Sequence, residues 1–597
     1  MMNKKNIAYL PTSADEMKEL GWNQADIILF SGDAYVDHPA FGVAVIARVL
    51  EAKGYKVAVV PQPNWRDDLR DFKKLGVPRL FFGVSSGNMD SMVNHYTARK
   101  RLRSDDAYSA GGRAGFRPDY ATKVYSQILK KLYPDTPLVI GGIEASLRRF
   151  THYDYWSDSL MPSILEETSA DVLVYGMGEK SICEIADRLH GGKKTDELRN
   201  IPQTVIRTDA IEPDCIILPS FIECTESKKK FALHFTLLEK NSNNIKGNAI
   251  AEKTKSGYLL AYPPHGTENI NDYYDLPYTR LPHPRYRKKP PIPAYEMIRH
   301  SINIHRGCFG ACSFCTISMH QGRFIKSRSQ QSIFNELEQV KQMPDYKGTI
   351  SDLGGPSANM YGMNVKDEDL CIKCKRPSCL YPKLCNNINA NHTELTDLYK
   401  KAEMVQGVSH VFVTSGLRYD LFINEDGFIN DGRKYFEQLV KKHISGRLKV
   451  APEHSVDKVL KNMRKPSYKL FRKLKKEYNN LNRSFVKRQE IIPYIITGHP
   501  GENIEDCINM ARSLKEDGLY PEQIQDFTPT PMTLSSAEYY LGFNPYTGDH
   551  VQINRDMDEK KLHNSILLYH KKEFRDYVIK NLRNKHLKET LRDLLSK

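Results

Sequence analysis

Three cysteines within eight residues are the most informative chemical feature of this sequence. Cys308, Cys312 and Cys315 stand in the segment RGCFGACSFC, with three and two residues between them. Structural zinc sites use four protein ligands, and catalytic zinc sites usually include histidine or a carboxylate. A cubane of four irons and four sulfides also prefers four thiolates. With only three, one iron stays open to an exogenous ligand, so the spacing favours a cluster with a vacant corner.

A second group of cysteines lies in the segment CIKCKRPSCLYPKLC. Cys371, Cys374, Cys379 and Cys385 are separated by two, four and five residues. Four cysteines so close together, in a segment rich in lysine, arginine and proline, indicate a metal site. Ligation by sulfur alone suits zinc or an iron–sulfur cluster, and the spacing does not separate the two. Zinc would hold together a loop with few apolar residues, whereas a second cluster would relay electrons or bind a substrate.

The first third of the chain alternates between strand-like and helix-like segments. Five apolar runs have the length of buried strands: 25–33, 56–60, 79–87, 137–146 and 171–179. This order, with glycines at the strand exits, predicts an α/β fold with a Rossmann-like, mostly parallel sheet domain over residues 1–220. The segment contains no GxGxxG pattern, so a dinucleotide site is not supported.

A second α/β rhythm begins near residue 300, where the first cysteine group lies. Its six strand-like segments are 302–307, 348–355, 410–416, 447–454, 490–498 and 523–531. Six such strands separated by helical stretches predict a partial (β/α)6 barrel over residues 295–560, with a Cys-rich insertion at 366–390. We expect the cysteines at the barrel mouth, a connector at 221–294 and a helical C-terminal tail at 561–597.

The first cysteine group and the strand exits resemble those of the radical S-adenosylmethionine (SAM) superfamily. The resemblance implies a [4Fe-4S] cluster on Cys308, Cys312 and Cys315, whose open iron binds SAM. One electron would then cleave SAM into methionine and a 5′-deoxyadenosyl radical, which abstracts hydrogen from a substrate. The resemblance also implies the residues that shape the SAM pocket: Phe314, Gly354, Gly355, Pro356 and, as a lone carboxylate, Glu453.

Longer segments narrow the resemblance to the YgiQ family of radical SAM proteins. They are SDLGGPSANMYG, VAPEHS, TGHPGE and DFTPTPMTLSSAEYYLGFNPYT in the second half, and GGIEASLRRFTHYDYWSDS in the first. The match extends to about residue 560. It implies a radical SAM enzyme with a one-electron reductant such as flavodoxin or ferredoxin as partner, but no particular substrate and no catalytic residue.

The N-terminal domain is similar to the cobalamin-binding domains of other radical SAM enzymes. Those domains offer an axial histidine in an Asp-x-His-x-x-Gly pattern. Here Asp37 and His38 are adjacent, and three residues separate His38 from Gly42. This spacing argues against cobalamin as a cofactor, since a fold can persist without the cofactor it holds elsewhere.

An aromatic and basic stretch lies between two of the predicted N-terminal strands. It contains Arg148, Arg149, Tyr153, Tyr155 and Trp156. Such a stretch can stack on a flat substrate at the barrel mouth. It can equally pack against the neighbouring domain, and the sequence leaves both interpretations open.

The composition indicates in which cellular compartment the protein is expected and which classes of partner are compatible with it. The chain of 597 residues has 87 basic and 72 acidic side chains, a net charge of +15. It contains no run of 18 apolar residues and no recognisable signal peptide, so we expect a cytoplasmic protein without a membrane segment. The charge is compatible with a nucleic-acid partner, although no familiar RNA-binding motif is present. An RNA-modifying radical SAM enzyme and a non-catalytic iron–sulfur electron carrier or metal scaffold therefore stay open as alternatives.

Overall fold

The computed structural model of the chain describes residues 9–584, apart from 243, 245, 265–268 and 373. No helix in this described part is both long and apolar enough to cross a membrane. The predicted C-terminal tail is helical as far as residue 584, and its last thirteen residues, 585–597, lie outside the described range. All cysteines of both groups are described.

The N-terminal half is built around a nine-stranded sheet. The strands of this half are β1 (Ile27–Ser31), β2 (Val57–Pro61), β3 (Phe81–Ser85), β4 (Leu138–Gly141), β5 (His152–Asp154), β6 (Ser159–Met161), β7 (Val172–Val174), β8 (Thr204–Thr208), β9 (Ile216–Leu218), β10 (Ile250–Thr254) and β11 (Gly257–Ala261). Its helices are α1 (Ala14–Glu19), α2 (Gly42–Ala52), α3 (Arg70–Lys73), α4 (Ser91–His95), α5 (Ala121–Leu132), α6 (Gly142–Leu147), α7 (Ile164–Thr168), α8 (Glu179–His190), α9 (Phe221–Glu226), α10 (Lys228–Asn241), α11 (Asn271–Tyr274) and α12 (Pro293–Ile298).

The strand order of the large sheet is β2-β1-β3-β4-β7-β8-β11-β10-β9. The first five of these strands run parallel; Ile27 of β1, for example, lies opposite Val57 of β2 and Phe81 of β3. Alternate residues of β1 enter two separate apolar cores, with Leu29 in one and Phe30 in the other. Both faces of the sheet are therefore covered, which explains the continuous apolar runs of the sequence.

Strands β10 and β11 come from the segment 221–294, which the sequence analysis treats as a connector. The two strands form an antiparallel hairpin, and β11 pairs with β8 of the sheet. The segment therefore extends the N-terminal sheet instead of only crossing to the second half. Both strands are only five residues long, and β10 carries Glu252 and Lys253, so periodicity alone did not mark them.

The C-terminal half contains eleven further strands and eleven helices within the described residues. The strands are β12 (Ser301–Asn303), β13 (His305–Arg306), β14 (Lys326–Ser327), β15 (Thr349–Ile350), β16 (Asp352–Gly354), β17 (Asn364–Val365), β18 (Ile388–Asn389), β19 (His410–Val411), β20 (Arg447–Glu453), β21 (Glu490–Thr497) and β22 (Gln525–Asp526). The helices are α13 (Ile317–His320), α14 (Gln330–Lys341), α15 (Glu368–Ile372), α16 (Thr393–Glu403), α17 (Gly432–Gln438), α18 (Asp457–Asn462), α19 (Tyr468–Ser484), α20 (Ile504–Glu516), α21 (Leu534–Leu541), α22 (Met557–Leu567) and α23 (Lys572–Asn584).

Short parallel pairings connect these strands in chain order. Strand β12 pairs with β16, β15 with β19, and β20 with β21, which in turn pairs with β22. A parallel bridge between Leu417 and Val450 joins the third segment to the fourth. All six predicted strand segments thus contain strands with parallel neighbours, and the fold is mixed α/β throughout.

The two halves share one apolar core and several ion pairs. Ile302 of β12 and Val450 of β20 belong to the same buried cluster as Leu29 of β1. Glu239 of α10 accepts two hydrogen bonds from Arg464, at 2.7 and 2.9 Å. The N-terminal sheet and the C-terminal strands are therefore packed against each other at more than one place.

The aromatic and basic stretch lies within this packing. Tyr153 and Tyr155 are buried, and both rings contact the ring of Tyr539 in α21. Arg148 and Arg149 are also buried, the first paired with a carboxylate of α4's N-cap, Asp90. Of the two interpretations, the structure favours packing against the neighbouring domain.

Candidate metal centre and adjoining cavity

The first cysteine group lies in the loop that directly follows β13. Gly307 has a φ of +87°, and a β-carbon there would lie 2.2 Å from the carbonyl oxygen of Phe324, so only glycine fits this turn. Beyond it, the N–H of Gly310 donates to the sulfur of Cys308 at 3.4 Å. The chain thus turns sharply at the end of a strand and presents the sulfur to the interior of the loop.

The thiols of this loop lie close together in a desolvated place. Burial raises the pKa of Cys308, and it raises that of Cys315 to about 12. The charge of Cys312 also raises the pKa of Cys308 and of Cys315, and the charge of Cys308 raises that of Cys315. The three sulfurs are therefore within electrostatic reach of one another. Without a cation the thiol form is favoured; a bound metal would displace the protons and hold the thiolates.

The donor set of this loop suits a cluster better than a single zinc ion. Structural zinc uses four protein ligands and catalytic zinc usually includes histidine or a carboxylate, whereas a cubane on three thiolates keeps one iron open. Within the described residues, three metal-donor atoms that all lie within 4.8 Å of one another occur at Glu502, Cys507 and His563.

The donors at Glu502, Cys507 and His563 already have protein partners. The carboxylate of Glu502 accepts hydrogen bonds from Thr497, the N–H of Gly498 and His563. The thiol of Cys507 donates to the carbonyl of His563 at 3.2 Å. We interpret this group as a buried hydrogen-bond network under the fifth strand, not as a metal site.

Arg418 is a residue of this centre that the sequence analysis missed. Its Nη1 donates to the sulfur of Cys312 at 3.1 Å, and its Nε donates to Asp420 at 2.9 Å. Burial alone would raise the pKa of Asp420, but the guanidinium of Arg418 lowers it, so the buried pair is ionised. The sequence did offer one signal for Arg418: it closely follows the third predicted strand, 410–416, and the other candidate site residues also lie at or just after the ends of predicted strands.

The predicted glycine pair lies against the interior of the same strands. Gly354 ends β16, and a β-carbon on Gly355 would lie 2.4 Å from the ring of His305. Pro356 follows in the loop. Both ring nitrogens of His305 are buried without a hydrogen-bond partner, and burial lowers its pKa to about 3. The glycines therefore permit close approach of the backbone, here to an imidazole that stays neutral.

Glu453 and Phe314 lie on two sides of the cysteine loop. Glu453 ends β20 with a φ of +67°, and its carboxylate is 3.6 Å from the Nζ of Lys465. Burial raises the pKa of Glu453, and its charge in turn helps to raise that of Cys315. Phe314 packs edge-on against the ring of His499, with the centroids 6.0 Å apart. The structure thus brings Glu453 close to the thiols and turns Phe314 towards the fifth strand.

The second cysteine group contacts the first through the backbone. The hydroxyl of Ser378 donates to the carbonyl of Gly310 at 2.6 Å, and the N–H of Cys379 donates to the carbonyl of Phe309 at 3.1 Å. Both acceptors lie between cysteines of the first group. The two loops are therefore held side by side.

A separate cavity of about 460 Å³ lies at the carboxyl edge of the N-terminal sheet. Its floor includes Ser85 at the end of β3, Gly141 at the end of β4 and Val174 at the end of β7. Its opposite wall includes Arg306 and His320, which flank the first cysteine loop. Ligands of open α/β sheets bind at this edge, where the strand order reverses. The sequence predicted the sheet but not that the second half closes a chamber over it.

Buried polar atoms without partners belong to residues in the wall of this cavity. Glu179, at the start of α8, pairs with Arg306, and its second carboxylate oxygen has no hydrogen-bond partner. The Nδ1 of His320 is likewise unpartnered, and burial lowers the pKa of this histidine to about 4. His38 does not line the cavity; its Nδ1 accepts from the N–H of Ala40. The chamber combines a mostly apolar lining with a few polar side chains, as small-molecule sites do.

Comparison with known proteins identifies the family. Family models match consecutive parts of the chain: "Radical SAM N-terminal" at 9–301, "Radical SAM superfamily" at 302–514 and "Domain of unknown function (DUF3362)" at 522–591. A UPF0313 protein of Bacteroides thetaiotaomicron is 51% identical over 596 residues, which cover 96% of each chain. A second, from Porphyromonas gingivalis, is 50% identical over 96% of this chain and 92% of its own. This chain belongs to the UPF0313 family of radical SAM proteins.

Membership in the UPF0313 family confirms the resemblance drawn from the sequence, with YgiQ as its other name. The chain is a radical SAM enzyme, so a role as a mere electron carrier or metal scaffold is not supported. The family implies a [4Fe-4S] cluster and SAM as cofactors. The substrate, the reductant, a nucleic-acid partner and the roles of the individual site residues stay predictions.

One solved structure of similar fold belongs to the radical SAM methyltransferase TsrM from Kitasatospora setae, with cobalamin and a [4Fe-4S] cluster bound. Its TM-score is 0.50 at 14% identity, over 92% of this chain and 88% of that one. The likeness shows a shared mixed α/β fold. Because that protein holds cobalamin on this fold, the expectation that cobalamin is absent here is not supported.

Proposed function

We propose that Cys308, Cys312 and Cys315 hold a [4Fe-4S] cluster whose fourth iron is left open for SAM. When bound, the cluster and SAM supply a 5′-deoxyadenosyl radical, after uptake of one electron, to a substrate that is not yet identified. The observation that carries this proposal is the set of three thiols within electrostatic reach of one another, one of which accepts a hydrogen bond from the guanidinium of Arg418.

The part of Arg418 would be to stabilise the thiolate form of the loop. A hydrogen bond from a cation to an anion is roughly twice as strong as a neutral one, and the one to Cys312 lies where water is largely excluded. Asp420 holds the guanidinium in place through its Nε. The net charge of three thiolates is thereby partly compensated by the chain itself.

The SAM pocket would lie between the cysteine loop and the ends of the second and fourth strands. Glu453 and Lys465 form a pair of opposite charges there, which suits the amino and carboxylate groups of a methionine moiety. Gly354 and Gly355 would let the backbone approach that moiety, with Phe314 packing beside it. Parallel pairing of six segments in chain order supports a partial (β/α)6 barrel around this pocket.

The test is anaerobic reconstitution of the full chain with iron and sulfide, followed by an assay for 5′-deoxyadenosine with dithionite and SAM. Wild type should form 5′-deoxyadenosine, and Cys308→Ala should not. Cys215→Ala is the matched control, because Cys215 belongs to neither group and is half-buried in the N-terminal half. Undiminished cleavage by Cys308→Ala, or zinc in place of iron at this loop, would refute the proposal.

A second candidate function, binding of a corrinoid, is favoured by the 460 Å³ cavity. We infer that part of a corrinoid could occupy this chamber, because it lies at the ligand edge of a sheet whose fold TsrM uses with cobalamin bound. His38 would not serve as its ligand, since it does not line the chamber. The N-terminal half would then present this second cofactor beside the cysteine loop.

The corrinoid candidate is tested with hydroxocobalamin added to the reconstituted chain and then removed by gel filtration. Retention of its visible absorption, lost in the cavity-filling variant Ile143→Trp, supports it. Ile128→Trp, a partly buried position of α5 that does not line the chamber, should retain the corrinoid. If wild type retains no corrinoid, this second candidate function is refuted.

A further inference from the structure

The second cysteine group shares its surroundings with the first. Pro377, in the second loop, lines the same small cavity as Cys312 and Cys315. Phe309 of the first loop and Cys379 of the second lie in one buried apolar cluster. Together with the two hydrogen bonds between the loops, these contacts leave a short, water-poor path from one group to the other.

The four thiols of the second group converge. The N–H of Cys385 donates to the carbonyl of Cys379 at 2.8 Å, and that of Cys374 to the carbonyl of Cys371 at 3.1 Å. Burial raises the pKa of Cys379 to about 11, and the charges of the other three thiols act in the same direction. The amide of Asn387 donates to the sulfur of Cys371 at 3.3 Å, as an orienting bond.

The surroundings of this group favour a cluster over zinc. Four thiolates can hold either metal site. A structural zinc ion would serve only the loop itself, whose base is already closed by β17 and β18 and whose centre is bonded to the first loop. A redox-active cluster at this place would lie beside the first cysteine group, whose proposed cluster needs an electron.

We propose that Cys371, Cys374, Cys379 and Cys385 hold a second iron–sulfur cluster that relays electrons to the first. This inference rests on the function proposed above, but the presence of the second cluster can be measured separately. Four thiolates leave no iron open, so this cluster binds neither SAM nor substrate. The second group would thus hold a cluster with every iron bound by the chain, whereas the first group would leave one iron open.

The electron balance of the relay is simple. A one-electron donor protein of the flavodoxin or ferredoxin class gives one electron to the second cluster and is itself oxidised. The second cluster passes that electron to the first across the contact of the two loops and returns to its oxidised state. No proton or group is transferred in this step, and the only bonds to be maintained are those to the four sulfurs.

The experiment counts iron, sulfide and zinc in three reconstituted full-length chains. They are the wild type, the triple variant Cys308→Ala/Cys312→Ala/Cys315→Ala, and the double variant Cys371→Ser/Cys374→Ser. If each cluster is a cubane of four irons, the wild type should hold about eight irons per chain and each variant about four. None of the three chains should hold stoichiometric zinc. The proposal also expects an electron paramagnetic resonance signal in the reduced triple variant that SAM does not alter.

The outcomes separate this inference from the proposed function. A triple variant without iron, or with one zinc per chain, overturns the second cluster and leaves the first intact. A triple variant with the full iron content of the wild type supports the second cluster and refutes the first. Four irons in each variant supports both, and circular dichroism of each chain excludes unfolding as the reason for a loss.

The relay itself is tested by changing the electron donor. In the double variant, 5′-deoxyadenosine formation with reduced flavodoxin should fall at least tenfold, while that with dithionite, a small reductant that can reach the first cluster directly, should change less than twofold. Cys215→Ala should respond like wild type to both donors. Equal losses with the two donors, or no loss with flavodoxin, would overturn the relay.

Discussion

The ion pair between Glu179 and Arg306 connects the N-terminal sheet to the strand that leads into the first cysteine loop. The two side chains are only 3% and 6% exposed, and the Nε of Arg306 also donates to the hydroxyl of Tyr274 at 3.0 Å. Glu179→Gln would leave the guanidinium buried without its counter-charge. Breaking a buried pair in this way costs about 3–5 kcal/mol, more than a hundredfold in an equilibrium constant.

Urea unfolding followed by circular dichroism measures this cost. Glu197→Gln is the matched control, because its pair with Lys193 is 44% and 59% exposed and is screened by solvent, so its loss should change stability little. The double variant Glu179→Gln/Arg306→Met should recover part of the loss, since it removes both buried charges. If Glu179→Gln unfolds at the same urea concentration as Glu197→Gln, the buried pair does not join the halves as argued.

Three further predictions concern the cysteine loop and the strands beneath it. Gly355→Ala should destabilise the chain by about 1–3 kcal/mol, because its methyl group would lie 2.4 Å from the ring of His305. Adding His305→Ala should restore part of that loss in a urea titration. Arg418→Gln removes the donor 3.1 Å from the sulfur of Cys312, a bond of about 1.5–3 kcal/mol to a charged group, and should lower the iron retained on reconstitution. Arg418→Lys, which keeps the charge, should lose less iron. Finally, stability should be complete above the ordinary histidine pKa of 6.5 and fall as the pH drops towards 4. Burial lowers the pKa of His305 to about 3 and that of His499 to about 4, so the unfolded chain binds their protons first. Unfolding midpoints that do not change between about pH 7 and about pH 5 would contradict this.

The parallel strands of the N-terminal sheet could be predicted because burial on both faces requires continuous apolar runs. The runs at 25–33 and 56–60, for example, contain β1 and β2. The hairpin of β10 and β11 could not be predicted in this way. Strand β10 carries charged side chains, and the hairpin joins the sheet because β11 pairs with β8, a long-range contact that no local pattern records.

The three cysteines of the candidate metal centre could be named from the sequence, but the residues that surround them could not. Cys308, Cys312 and Cys315 lie within one short loop after a strand, so their spacing in the sequence already places them close together in space. Arg418 and Lys465 come from distant segments and reach the centre only through the packing of the strands. The same holds for the cavity, whose two walls belong to the two halves of the chain.

Two ion pairs, Glu239 with Arg464 and Glu179 with Arg306, each join the N-terminal half to the C-terminal half. Their residues are well separated in the sequence. A protease that cut the exposed residues 287–291 would therefore sever one covalent link and leave both ion pairs in place. The fragments should migrate as a single species on a sizing column. A chimera that carries the N-terminal half of a relative should fold only if that half has carboxylates at the positions of Glu179 and Glu239.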